Sequence, residues 1–377
     1  MLIKDLIDAI ESIAPPRYAE EWDNVGLIVG DPGRELRGPV LLTIDLTEAV
    51  VGEARDLGAA AVISYHPPLF SPQRRITSAT PTGRVLLAAI EAGLAIYSPH
   101  TALDAAPGGM TDWLADGLMD RTGVVKADRR ALRPHISRRE TEQVKIVTFV
   151  PEVSLDQVRS ALATAGAGTI GEYEVCSFGI QGVGTFLAGA KAAPAVGEVG
   201  RLERVPEVRL EMVCSRRALP IAIETLRQFH PYEEPAIDIY DLLGRPERGA
   251  GAGRRLVLDR PTTVEKLAER VKSYLKVPGV YVAKASDKPV NTVGVCPGSG
   301  AELATVARAE NCEVFVTGEM KHHDILAAVE AGLSIITAGH TSTERGYLPS
   351  LAARLAERLE GVRFEVSSVD KSPLALM

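Results

Sequence analysis

Along the first hundred residues the apolar positions switch between continuous runs and a helical period, and that switching predicts strands alternating with helices. Residues 40–44 form an apolar run, residues 47–56 carry a helical pattern, and residues 59–63 are apolar again, ending in Tyr65-His66-Pro67-Pro68. A helix around residues 83–92 then passes through Gly93 into a strand at residues 94–97, which ends in Pro99-His100-Thr101-Ala102-Leu103-Asp104. Strands separated by short helices imply a largely parallel α/β sheet, and such sheets gather ligand groups at the carboxyl ends of their strands.

The same order returns near the C-terminus. Strands are expected at residues 293–296, 313–317 and 333–337, with helices between them, and the last runs into His340-Thr341-Ser342-Thr343-Glu344. Glu91-Ala92-Gly93-Leu94-Ala95-Ile96 matches Glu330-Ala331-Gly332-Leu333-Ser334-Ile335, and each match leads to a His-Thr pair with a carboxylate four residues after the histidine. Two matches in the same order predict a duplicated α/β half, one within residues 1–130 and one within residues 255–377.

Residues 141–245 differ in texture. A strand at 145–150, a helix at 155–165, one or two glycine-containing strands within 173–189, a strand at 208–214, a helix at 219–229 and a strand at 236–240 give the order β-α-β-β-α-β. That order predicts a ferredoxin-like α+β insert, and the basic residues 129–139 and glycine-rich residues 244–253 on either side read as linkers.

Composition narrows the classes. Of the 377 residues, 46% are hydrophobic and 24% charged, which excludes a disordered chain and suits two or three domains with their own cores. A net charge of -7 disfavours a general electrostatic grip on nucleic acid. The four cysteines form no C-x-x-C pair, which argues against a zinc ribbon, a redox motif and a disulfide framework. With no signal-peptide pattern and no apolar stretch of about 20 residues, the expectation is a soluble cytoplasmic protein.

Four of the seven histidines, His66, His100, His323 and His340, fall at or just beyond expected strand ends. Asp104 and Glu344 follow His100 and His340 by four residues, so imidazole nitrogen and carboxylate oxygen are expected to meet from separate loops. That mixed donor set suits Zn²⁺, Mn²⁺ or Fe²⁺, and a set that leaves positions open to water is of the hydrolytic type. His100 and His323 are candidates for supporting the ligands or for acid/base work, with Glu319 as a further partner. Trp22, Asp23 and Asn24 are read as cleft wall, and Gly298-Ser299-Gly300 as a tight turn.

At these residues the chain resembles the Nif-three-like dinuclear-metal family, also known as GTP cyclohydrolase I type 2 homologues. The resemblance rests on Glu21-Trp22-Asp23-Asn24-Val25-Gly26-Leu27, Ser64-Tyr65-His66-Pro67-Pro68-Leu69-Phe70, Ser98 to Asp104, Thr317-Gly318-Glu319, Lys321-His322-His323-Asp324 and Gly339 to Glu344. His230-Pro231-Tyr232-Glu233-Glu234 resembles the mark of the PII-like domain found between the halves of many bacterial members. The resemblance implies two similar α/β halves forming one core, interrupted by a ferredoxin-like (PII-like) insert. It also implies a homohexamer and one or two divalent ions per chain, with His66 and Asp104 on one ion, His340 on the other and Glu344 shared. Where many bacterial members have His-His-Pro, this chain has Tyr65-His66-Pro67. The activity it implies is metal-dependent hydrolysis of a nucleotide or phosphorylated small molecule, and the alternative is a metal-binding regulatory or scaffold protein.

Overall fold

The strand Val40–Thr43 is buried along its whole length, and so are Ala61–Ser64 and Ala95–Ser98. Strands covered on both faces read as unbroken apolar runs, because alternate side chains enter different cores. Val40 and Leu42 pack with Ile3, Leu6, Ile10 and Leu351, whereas Leu41, Val62 and Ile96 pack with Val50, Ala54 and Leu86. The helix Ile3–Ile13 therefore closes one face and the helices Glu48–Asp56 and Pro81–Glu91 the other.

These strands belong to a computed structural model that describes residues 1–119 and 128–374. The chain divides into two compact units, Met1–His135 with Glu247–Met377, and Ile136–Pro246. The first unit holds two sheets. In one, the strands run in the order Gly26–Val29, Ala95–Ser98, Ala61–Ser64, Val40–Thr43, Phe364–Val366, all parallel except the first. In the other the order is Tyr281–Ala283, Ser334–Thr337, Val314–Glu319, Val290–Ser299, Arg254–Thr262, Arg129–Arg130. Its middle three strands are parallel and the outer ones antiparallel to their neighbours. Three parallel strands with an antiparallel strand beside the third recur in both sheets, which is the duplication expected from the sequence.

The two halves trade edge strands. Phe364–Val366, from the end of the chain, completes the first sheet beside Val40–Thr43, and Arg129–Arg130 pairs with Arg255 and Leu256 in the second. Arg254 fastens the halves together from within. It is 1% exposed, its Nε donates to Asp112 Oδ1 at 2.9 Å, and its terminal nitrogens donate to the carbonyls of Ala105, Ala106, Gly251 and Gly253 at 2.7 to 3.1 Å. A fully buried guanidinium persists only when its donors are matched in this way.

The second unit has the strands Val144–Val150, Phe178–Leu187, Leu202–Cys214 and Ile237–Asp241, with the helices Leu155–Thr164 and Leu219–Phe229. Numbered along the chain, the strands lie in the order 4-1-3-2 and are antiparallel throughout, the ferredoxin-like arrangement. Val144, Ile146, Val150, Leu210 and Met212 pack on Val158, Leu162, Ala222 and Leu226 of the two helices. The flanks read as linkers contain strands, Arg133–Ser137 and Arg245–Ala252, which pair as a two-stranded sheet. Glycine makes that pairing possible: Gly251 has φ +130°, and a Cβ there would lie 2.2 Å from the Arg133 carbonyl oxygen.

Candidate metal centre

Both sheets of the first unit direct the carboxyl ends of their parallel strands into one cleft of about 430 Å³. His66 follows Ala61–Ser64, and its backbone N–H donates to the Ile44 carbonyl at 3.0 Å, which pins the loop to the neighbouring strand. His340 follows Ser334–Thr337, and Glu344 stands one turn further on, in the short helix Ser342–Arg345. The His66 and His340 rings are 5.5 Å apart, Glu344 Oε1 is 3.3 Å from His340 Nε2, and Glu344 Oε2 is 3.7 Å from His66 Nε2. One ligand atom from each of the three lies within 4.8 Å of the others, the only such group among the described residues.

A cation fits this group for a specific reason. Glu344 is 2% exposed, and its Oε2 is buried without a hydrogen-bond partner. A charged oxygen left in that condition costs several kcal/mol unless a cation meets it (roughly 3–5 for breaking a buried ion pair). The backbone makes room on one side: Gly298 has φ +61°, and a Cβ there would meet Glu344 Oε1 at 2.5 Å and His340 Nε2 at 3.2 Å. The Gly298 N–H donates to Thr343 Oγ1 at 2.9 Å, so this turn also holds the helix that carries Glu344.

Each imidazole is oriented by a carboxylate on its other nitrogen. His66 Nδ1 is 2.8 Å from Asp45 Oδ1, and His340 Nδ1 is 2.9 Å from Glu319 Oε1. With Nδ1–H donating to a carboxylate, the Nε2 lone pair is presented to the cleft, the usual support for a metal-bound histidine. Burial alone would lower the His66 pKa, but Asp45 and Glu344 outweigh it and hold the imidazole at about 10, so a cation at Nε2 displaces a proton. The bond to His66 in turn lowers the Asp45 carboxyl.

Asp104 lines the same cleft outside that group of three. Its Oδ1 accepts from the Tyr65 hydroxyl at 2.7 Å. Burial pushes the Asp104 carboxyl up to about 6, against the pull of the His100 and His66 imidazoles and of that hydroxyl. Burial and the charges of Asp104 and Glu344 raise the Tyr65 phenol well above its ordinary range, so it keeps its proton and donates it in the hydrogen bond to Asp104.

His100 lines the cleft beside them, its ring 5.3 Å from that of His66. Its Nδ1 is 2.8 Å from Asp23 Oδ1, while Asp23 Oδ2 accepts from the Thr101 backbone N–H at 3.0 Å and from the Thr101 hydroxyl. Burial would raise the Asp23 carboxyl, yet its bond to His100 and the Thr101 contacts bring it below its ordinary value. Trp22 and Phe70, each more than half exposed, face each other at 5.7 Å and stand about 6 Å from His100 as an aromatic wall. His323 lies elsewhere: it is exposed in the first turn of the helix His322–Glu330, against His322, and does not line the cleft. Asp45 escaped the sequence reading although it follows the strand Val40–Thr43 by two residues, where the strand-end rule would have placed it.

The fold and cleft define a class, a duplicated α/β protein whose two halves supply a candidate His/carboxylate cation site between them. The chain belongs to the NIF3 family: the family model Duf34/NIF3 (NGG1p interacting factor 3) matches residues 1–373. A Bacillus subtilis protein named GTP cyclohydrolase 1 type 2 homolog is 33% identical over 377 residues, covering 99% of this chain and 98% of its own. NIF3-like protein 1 of Bos taurus is 34% identical over 380 residues, covering 99% and 92%. The crystal structure of a Bacillus cereus protein related to NIF3, 33% identical, superposes with a TM-score of 0.65 over 100% of this chain and 99% of the other. Among the described residues, no helix is long and apolar enough to cross a membrane.

Proposed function

We propose that the cleft is the active site of a metal-dependent hydrolase acting on a nucleotide or phosphorylated small molecule. The observation that carries this reading is the buried Glu344 oxygen without a partner, facing two imidazoles whose outer nitrogens are already tied to carboxylates. His66, His340 and Glu344 would hold one divalent ion, Zn²⁺, Fe²⁺ or Mn²⁺ by donor type, with Asp104 beside it for a second ligand or a second ion. When bound, such an ion supplies a water acidified to near neutrality and neutralises charge on substrate oxygens.

The chain's own residues supply the rest. Asp23 fixes His100 so that its Nε2 exchanges a proton with the reacting group, the role its position beside His66 supports. Trp22 and Phe70 give a planar base a surface to stack on. Among the described residues lining the cleft the one guanidinium, Arg133, is already paired with Glu20 at 2.8 Å and Glu302 at 3.0 Å, so a phosphate there depends on the cation for charge. The relatives named GTP cyclohydrolase 1 type 2 homolog point toward a nucleotide. We also propose the homohexamer that the family resemblance implies, which sedimentation of the purified chain tests. The deciding experiment measures ion content and turnover of GTP and a phosphoester panel for the native chain and for a His340→Ala/Glu344→Ala variant. Bound ion and turnover lost together in the variant support the reading, and equal turnover in both proteins ends it.

A further inference from the structure

The ferredoxin-like unit contains a cavity of about 610 Å³, the size of a small-molecule site, and it shares no lining residue with the cleft. The two helices cover one face of its sheet, where Ile146, Leu210 and Met212 point. Alternation therefore puts Phe149, Glu207 and Arg209 on the opposite face, and the register places Gly182 opposite Glu207 and Ile180 opposite Arg209. These residues floor the cavity. Gly182 opens it, because a Cβ there would have no atom within 4 Å.

The walls are built rather than accidental. The loop after the helix Leu219–Phe229 is folded around His230, whose Nε2 meets the Phe149 carbonyl at 3.1 Å and whose Nδ1 accepts from the Tyr232 backbone N–H at 3.1 Å. That fold brings Tyr232 over the sheet, where its hydroxyl donates to Glu207 Oε1 at 2.7 Å. Glu233 Oε1 accepts from the Ala193 N–H at 3.1 Å and joins this wall to the one across it, which carries Ala192 and Pro194.

The lining sets the ligand's chemistry. Three carboxylates, Glu207, Glu233 and Glu234, face the cavity, and its one cation, Arg209, already donates to Glu211 Oε1 at 2.8 Å while lying over the Phe149 ring. Phe149, Phe186 and Tyr232 add ring faces, which attract positive charge, beside the aliphatic Ile180 and Val183. An anionic ligand would meet those carboxylates with no cation to spare. We propose that the insert is a binding module for a small protonated amine with an apolar body, the ammonium held near Glu207 and the body lying over Gly182.

Calorimetric titration of the full chain with tryptamine and with indole-3-acetate, the same ring carrying opposite charge, tests this. The native chain should bind tryptamine saturably and the acid at least about tenfold more weakly. Gly182→Val places a β-branched side chain in open space at an extended position, so it should abolish tryptamine binding while circular dichroism, melting temperature and bound metal stay at native values. Glu207→Gln, which keeps an acceptor for Tyr232, should weaken tryptamine by about five- to tenfold. The proposal is overturned if the acid binds as well as the amine, or if Gly182→Val binds tryptamine like the native chain. Absence of saturable binding to tryptamine, phenethylamine and spermidine alike would overturn it too, and would leave the face to another protein surface.

Discussion

At Glu344 a single carboxylate carries the argument for a cation, because its Oε2 is buried and accepts no hydrogen bond from the fold. Glu344→Gln preserves the shape but removes the charge, and Gly298→Ala adds a methyl 2.5 Å from Oε1 at a φ of +61°. Both variants should lose the bound ion while remaining folded, as measured by elemental analysis and circular dichroism, and Gly298→Ala should also lose about 1 kcal/mol of stability to backbone strain. Asp45 acts one step back, through its bond to His66. Asp45→Asn should weaken metal affinity by about 10- to 100-fold in a chelator competition, with the fold intact. At this scale the sequence exposed some residues and hid others. His66, His340 and Glu344 were legible because strand ends and a four-residue spacing single them out. Asp45 also follows a strand end, but it reaches His66 from a different strand, and no spacing along the chain records that meeting. Asp23 was read as wall, because its bond to His100 spans 77 positions.

Elements in the first unit were easier to read than those in the second. A strand buried on both faces is a solid apolar run, so residues 40–44, 59–63 and 94–97 lay close to their observed bounds. The long strand Leu202–Cys214 was seen only from residue 208, because Glu203, Arg204, Pro206 and Glu207 interrupt any run and one face of that sheet bears polar groups. The helix Val264–Leu275 went unread despite the Thr263 cap, whose hydroxyl accepts from the Lys266 N–H at 3.3 Å. The loop on His230 yields a pH prediction. Burial pushes that imidazole below its ordinary 6.5, against the bond its Nε2 gives to the Phe149 carbonyl, and the bond its Nδ1 accepts from the Tyr232 N–H requires the neutral form. The unfolded chain then holds more protons than the folded one just below pH 6.5, so stability falls as pH drops through that window and is complete above it. The protection of the Val144–Val150 amides in the full chain, measured as exchange relative to the intrinsic rate at each pH, should fall from pH 7.5 to 5.5, and His230→Gln should flatten that dependence.

Across the first unit the two halves are tied at several points, and this was the least legible level. The duplication showed itself in repeated motifs, but Phe364–Val366 is only three residues long and Arg129–Arg130 two, too short for either to carry a pattern. Arg254 gave no sign in the sequence that it would be buried with its donors spent on both halves. Arg254→Leu leaves Asp112 with only the Gly108 N–H and the more distant Arg129 and takes a donor from four carbonyls, and should cost about 3–5 kcal/mol in urea unfolding. Because the halves share edge strands and this arginine, both sheets should unfold in one transition in the native chain.

The histidines after the last parallel strand of each half, His100 and His340, are counterparts that have diverged in company. Each keeps a carboxylate on Nδ1, yet His340 stands with Glu344 and His66, while the partner at the same step in the other half, Asp104, is occupied by a tyrosine hydroxyl. An ancestral symmetric pair would have offered two alike sockets. In this chain one twin stands in the candidate cation group and its sibling stands outside it, so like positions in the two halves offer unlike sockets.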